Sequence, residues 1–179
     1  MELSSKELWT AIHGMVFGAT FLLAFAGGLA GLWSLRPELV TTAGLRERMV
    51  RLSSGVWIMA LAAWATIISG TYIVYPWYRA APPKGTTGAA LLDYPRYFLL
   101  ANPKLAEWHN FGMEWKEHVA WFAPMLATAV AFVVIRYGWR LSENPKIRWA
   151  LMVLFVAAFA TAAVAGLFGA FITKAAPLH

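Results

Sequence analysis

Four long apolar stretches dominate the chain, and each runs without charge across its middle. They cover residues 8–35, 54–75, 115–137 and 147–173. Crossing a hydrocarbon core of about 30 Å takes about 20 helical residues, and a bilayer span must satisfy all its backbone hydrogen bonds internally. None of the stretches alternates as a membrane β-strand would. The sequence therefore predicts an all-α integral membrane protein, a single up-down-up-down four-helix bundle over residues 1–179.

Composition agrees with this class and excludes several cofactor types. Sixty per cent of the residues are hydrophobic and only 13% are charged, so water is a poor solvent for most of the surface. The first stretch is longer than a secretory h-region and is expected to be retained as a helix. The chain has no cysteine, which excludes iron–sulfur ligation, covalent haem and thiol catalysis. Histidine, methionine or non-covalent contacts must hold any redox centre.

Orientation follows from the basic residues of the short connections. The 1–2 and 3–4 connections carry eight basic and three acidic residues, and the rest of the chain carries seven basic and six acidic ones. The positive-inside rule therefore predicts cytoplasmic 1–2 and 3–4 connections and periplasmic termini in a bacterial inner membrane. Because topology already accounts for these arginines, no nucleic-acid partner is expected. Membrane lipid is the expected surroundings.

The connection between spans two and three is long and is expected to lie at the outer face. It covers residues 76–114, with an irregular part over 81–88. Asn102–Pro103 predicts the start of an interfacial helix near Pro103, and Asn144–Pro145 predicts the start of the fourth span. The connection is therefore predicted to form an outer interfacial loop and helix that precede span three.

Two histidines lie at similar depth below the same membrane face. His13 comes five residues into span one, and His118 comes three residues into span three. In an up-down-up-down bundle both helices enter from the outer side, so the two imidazoles can face each other across the bundle. A porphyrin iron takes one neutral imidazole from each side. The pair therefore predicts a haem site near the periplasmic face.

Small residues at the same depth would leave room for such a ring. Gly14 and Gly18 flank His13, while Gly70 and Gly169 lie at the corresponding level of spans two and four. The alternative is that these glycines only let membrane helices approach closely, which needs no cofactor.

Two further interpretations remain open for the same residues. Glu114 and His118 stand at i, i+4 on one helical face, and His13 could add a third ligand to a small zinc, copper or iron site. His109 lies nine residues before His118, about half a turn away on a continuous helix. It is therefore either a ligand of a second site or an interface residue. The midplane carries no charged residue, which disfavours a transporter.

Four helices with histidines facing across the outer half resemble the small membrane b-type cytochromes. The resemblance is architectural and rests on His13 and His118. It implies a single haem b, electron exchange between quinol and a periplasmic redox partner, and a place in a larger redox complex. Asp93, Arg96 and His109 in the outer loop would then form the docking surface. The competing interpretation is a cofactor-free accessory subunit of a respiratory or photosynthetic assembly.

Overall fold

The chain is helical throughout the part that the structure describes. The computed structural model describes residues 3–176, and no strand occurs within that range. Met1, Glu2 and residues 177–179, which include His179, lie outside it. The prediction of an all-α fold is confirmed for the described residues.

Four of the helices are long and apolar enough to cross a membrane. We label them α1, α2, α4 and α5, with bounds Ser5–Ser34, Ala43–Arg79, Trp108–Leu141 and Pro145–Ala175. Only 22–39% of the residues in their most apolar windows are buried inside the protein. Most of this apolar surface therefore needs lipid as its solvent. A short helix α3, Pro95–Ala101, lies between α2 and α4.

The helices extend beyond the apolar stretches that predict them. α2 starts eleven residues before residue 54, because its polar first part packs Leu45, Met49 and Leu52 at helical spacing in or against a hydrophobic core. α5 begins at Pro145, as predicted. At Asn102, Oδ1 accepts from the Lys104 N–H at 3.0 Å, and the carbonyl accepts from the Ala106 N–H at 2.9 Å. This turn leads into α4.

The chain divides into two compact units that share the long helices. The histidine unit contains the described residues up to Gly18, Ala65–Trp121 and those from Ala163 onward. The core unit contains Ala19–Trp64 and Phe122–Ala162. His13, His109 and His118 all belong to the histidine unit.

Each unit has its own apolar interior. In the core unit, fully buried side chains such as Leu32, Val56, Met59, Val130 and Phe155 pack together. In the histidine unit, the interior is smaller and more aromatic; it is formed by Tyr78, Leu99, Met113, Ile172 and Ala176, with Trp108 and Phe168 against them. Polar side chains reach the interior of the histidine unit, and the candidate site lies there.

Candidate functional site

Three of the long helices contain a π-helical turn, and all three turns lie in the histidine unit. They are Ile12–Val16 in α1, Gly70–Val74 in α2 and Trp108–Met113 in α4. His13 lies in the first, Gly70 opens the second, and His109 lies in the third. Such turns are rare and often occur at functional sites. Their coincidence with two histidines and a histidine contact makes this unit the candidate site.

His13 is held by the junction where α2 enters its π-helical turn. Its Nδ1 lies 3.1 Å from Ser69 Oγ, and the Ser69 hydroxyl donates to the Thr66 carbonyl at 3.1 Å. A hydroxyl has one hydrogen, so Ser69 accepts from His13 and Nδ1 carries the proton. The other ring nitrogen, Nε2, therefore keeps its lone pair. That is the form of imidazole that binds a metal.

Gly70 provides the surface on which the His13 ring rests. A Cβ at this position would lie 2.7 Å from His13 Cε1, which is closer than real Cβ contacts allow. Ser69 is buried, so both the position and the tautomer of His13 depend on two consecutive residues of α2.

His118 has a different environment. Its side chain is 70% exposed, and its Nδ1 lies 2.9 Å from the Glu114 carbonyl oxygen and 3.5 Å from Glu114 Oε2. A carbonyl oxygen only accepts, so Nδ1 is again a protonated nitrogen. These contacts are with its own helical turn. The pairing of His118 with His13 stays a prediction.

His109 is a buried residue, 8% exposed, and not a surface residue. Its Nδ1 lies 2.9 Å from the Tyr78 hydroxyl oxygen, and the two rings are 5.9 Å apart. The prediction that His109 belongs to an outer docking surface is wrong. His109 is buried in the π-helical turn together with Gly112 and Met113, and Met113 belongs to the apolar interior. Asp93 is exposed, and Arg96 is half-buried.

Opposite charges lie close to the Tyr78–His109 pair. Arg96 and Glu117 both act electrostatically on these two rings. Arg96 Nε and Glu117 Oε1 are buried without a hydrogen-bond partner among the described residues, as is Trp115 Nε1 in the same unit. Buried polar groups are normally satisfied. Near the Tyr78–His109 pair, the Arg96 Nε donor and the Glu117 Oε1 acceptor are therefore available to a water molecule or a polar ligand.

The glycines predicted to line the haem site fall into two groups, those with open space beside them and those without. A Cβ on Gly14 or Gly18 would meet nothing within 4 Å. On Gly169 it would lie 2.6 Å from Lys116 Nζ, whose hydrogen bond to the Ala165 carbonyl oxygen is long, at 3.5 Å. The space over Gly70 and Gly169 is thus taken by His13 and Lys116, and open space remains beside Gly14 and Gly18.

The three-ligand metal arrangement does not form within residues 3–176. No group of three or more histidine or carboxylate side chains is placed there to hold a metal ion. Glu114 and His118 meet as their i, i+4 spacing predicts, but His13 does not join them.

No protein-family model, curated protein or solved structure matches this chain. Its function must therefore be argued from the site. Sequence reasoning missed Tyr78, Lys116 and Glu117 as site residues. The available signal was an ionisable or hydroxyl side chain within a helical turn or two of a span's end, and headgroup anchoring produces the same pattern.

Proposed function

We propose that this chain is an electron-transfer subunit of the bacterial inner membrane that binds haem b near the periplasmic face. Its four spans would run up-down-up-down, with both termini and the 76–114 connection outside. Support for the alternation comes from the histidine unit, which combines the beginnings of α1 and α4 with the ends of α2 and α5. The basic 1–2 and 3–4 connections support the orientation.

The observation that carries the haem proposal is a shared hydrogen-bonding arrangement of two imidazole rings. In both His13 and His118, Nδ1 faces an oxygen acceptor, so Nε2 would be the ligating nitrogen. Ligating histidines usually have such an outer hydrogen bond, because it fixes the tautomer and orients the ring. Haem b fits this donor set, since it takes neutral imidazoles and needs no thiol. Open space lies beside Gly14, which follows His13 directly, and beside Gly18, five residues after His13.

Haem b, when bound, supplies a one-electron redox centre. The chain's own residues would position it and manage protons. Ser69 orients His13 through its hydrogen bond, and Gly70 lets the His13 ring lie close to the α2 backbone. Quinol releases protons when it is oxidised, and Glu117 Oε1 and the Tyr78–His109 pair are groups in this unit that can accept and hold them. A quinol is therefore proposed as the electron donor, and a periplasmic redox protein as the acceptor.

One observation favours the second candidate, a cofactor-free accessory subunit of a larger assembly. His118 is largely exposed, whereas an axial ligand is expected to be enclosed around its cofactor. If only His13 reaches the interior, a packing role against other subunits accounts for the apolar surface without a haem.

An absorbance spectrum separates the two candidates. The detergent-purified protein from haem-sufficient cells should show a b-type α band on dithionite reduction, with one haem per chain by pyridine haemochrome. His13→Ala and His118→Ala should each abolish the low-spin spectrum. His109→Gln is the matched control and should retain it, because His109 is bonded to Tyr78 instead.

Circular dichroism of each variant shows whether the helices still form. A colourless wild-type protein would exclude the haem proposal and leave the accessory role or a small metal site, which elemental analysis for bound metal separates. A normal low-spin spectrum in both His13→Ala and His118→Ala would remove these residues as ligands.

A further inference from the structure

Two cavities adjoin each other in the core unit. One is an apolar groove of about 770 Å³ between α1 and the first part of α5, and the other is a polar pocket of about 570 Å³. They share Trp149 and Met152 in their walls. The groove therefore continues into the pocket, and both volumes fall in the range of ligand sites.

The groove is lined by one face of each helix. On α1 the face includes Ala26, Ala30 and Trp33, and on α5 it includes Trp149, Val153 and Val156. Each set follows the i, i+4, i+7 spacing of a helical stripe. The small alanine side chains leave the floor of the groove open, and Trp33 and Trp149 meet edge-to-face with their ring centres 5.7 Å apart. A slender apolar chain fits the groove, since its walls are apolar along their length and two indoles narrow one end.

The pocket at that end is positively charged. The Arg36 guanidinium carbon lies 3.9 Å from the centre of the Trp33 ring, and Arg36 has no ion pair within residues 3–176. Arg148 is buried in the pocket wall and donates from Nη1 to the Leu35, Leu141 and Ser142 carbonyl oxygens. Carbonyls carry no net charge, so they leave its positive charge in place. Glu38 is the one acidic lining residue.

We propose that this groove and pocket form a binding site for one anionic phospholipid. The acyl chain would lie along the alanine floor, and the phosphate would meet Arg36 beside Trp33. An apolar slot that ends in a net positive pocket is complementary to a lipid with a charged head, and basic pockets between membrane helices bind such headgroups. A neutral lipid or an apolar partner helix would supply no negative group to pair with the Arg36 guanidinium. The proposal is independent of haem binding.

The test is native mass spectrometry of delipidated, detergent-solubilised protein. Equal amounts of palmitoyl-oleoyl phosphatidylglycerol and phosphatidylcholine are added, and the bound fractions are compared. The wild-type protein should prefer phosphatidylglycerol about fivefold, as expected for one basic residue at an anionic headgroup. Arg36→Gln should lower this preference to near parity, and Arg36→Lys should keep it. Arg46→Gln is the matched control, since Arg46 is exposed in the first part of α2 and lines neither cavity.

A second pair of variants tests the groove itself. Ala26→Leu with Ala30→Leu should reduce the binding of both lipids, because leucine side chains fill the floor. Ala129→Leu lies on α4, outside the groove, and should bind as the wild type does. Equal binding of the two lipids by the wild type, or equal effects of Arg36→Gln and Arg46→Gln, would overturn the proposal.

Discussion

At the scale of single residues, the chemistry of the candidate site depends on side chains that the neighbouring helix positions. Ser69 sets the tautomer of His13 through a hydrogen bond, and the absence of a side chain at Gly70 leaves room for the His13 ring. His109 has its partner in Tyr78, 31 residues earlier in the chain. Neither relation is local in sequence. A change at Gly70 should therefore be felt at His13.

We expect Gly70→Ala to displace the His13 ring, because the new methyl would lie 2.7 Å from Cε1. Overpacking of this kind costs about 1–3 kcal/mol. Thermal unfolding in detergent should show a lower Tm, and any bound haem should show an altered spectrum. Gly14→Ala is the matched control, since its Cβ meets nothing within 4 Å. It should be neutral or stabilising by up to about 1 kcal/mol, and equal effects at both positions would contradict the contact.

At the scale of elements, the helices of the core unit approach closely at a few points. A Cβ on Gly28 of α1 would lie 2.8 Å from Phe155 Cε1 and Cζ of α5. Phe155 is fully buried, so its ring has little room to move. The adjacent Gly27 is exposed, and a Cβ there would meet nothing within 4 Å. One glycine is therefore required for packing, and its neighbour is not.

Gly28→Ala should destabilise the protein by about 1–3 kcal/mol through overpacking against Phe155. Gly27→Ala should leave stability unchanged or raise it by up to about 1 kcal/mol, since alanine favours the helix over glycine. Detergent thermal unfolding of the two variants makes the comparison. A larger loss for Gly27→Ala than for Gly28→Ala would show that α1 packs through a different face.

The ends of the core-unit helices are joined by Arg148. Its Nη1 donates to the carbonyl oxygens of Leu35, Leu141 and Ser142, at 2.7, 3.2 and 3.2 Å. Arg148→Met keeps much of the apolar stem and leaves three carbonyls without this donor. We expect a loss of about 2–4 kcal/mol, because buried polar groups that lose a partner are costly. Denaturant or thermal unfolding measures it.

Arg136 provides the control for Arg148. It is an exposed arginine of α4, and Arg136→Met should stay within about 0.5 kcal/mol of the wild type. A similar loss in both variants would mean that the arginines act through general charge rather than through the carbonyl contacts.

At the scale of the whole molecule, the distribution of charge predicts the orientation in the membrane. The absence of cysteine allows single-cysteine labelling with no background. Lys84→Cys, in the exposed part of the long connection, should react with a membrane-impermeant maleimide in intact spheroplasts. Glu143→Cys, in the exposed 3–4 connection, should react only after the membrane is opened. The opposite result would reverse the proposed topology.

The sequence predicts the larger features of the fold because they depend on composition. Apolar runs of about 20 residues require helices in a membrane, and four such helices are present. The irregular part of the outer connection lies where Gly85 and Pro83 indicate it, and α5 begins at its proline. The helix ends are less accurate, since polar turns such as the start of α2 continue the helix once Leu45 and Met49 are packed.

The contacts of the candidate site could not be predicted from the sequence. The resemblance to b-type cytochromes placed His109 on an outer docking surface, whereas the structure buries it beside Tyr78. The three π-helical turns leave no mark in the hydrophobic pattern, because one extra residue per turn hardly changes the composition of a span.

By itself, therefore, the sequence determined that this chain is helical and suited to a membrane, and that any redox centre it holds must use histidine, methionine or non-covalent contacts. Only the tertiary structure decided which nitrogen of His13 is free, that His109 is a buried partner of Tyr78, and that Arg36 stands at the mouth of an apolar groove. The physical reason is that the preference of a segment for lipid over water depends on the summed hydrophobicity of its residues, which can be counted from the sequence. A hydrogen bond or a ring contact depends instead on atoms brought together from distant parts of the chain.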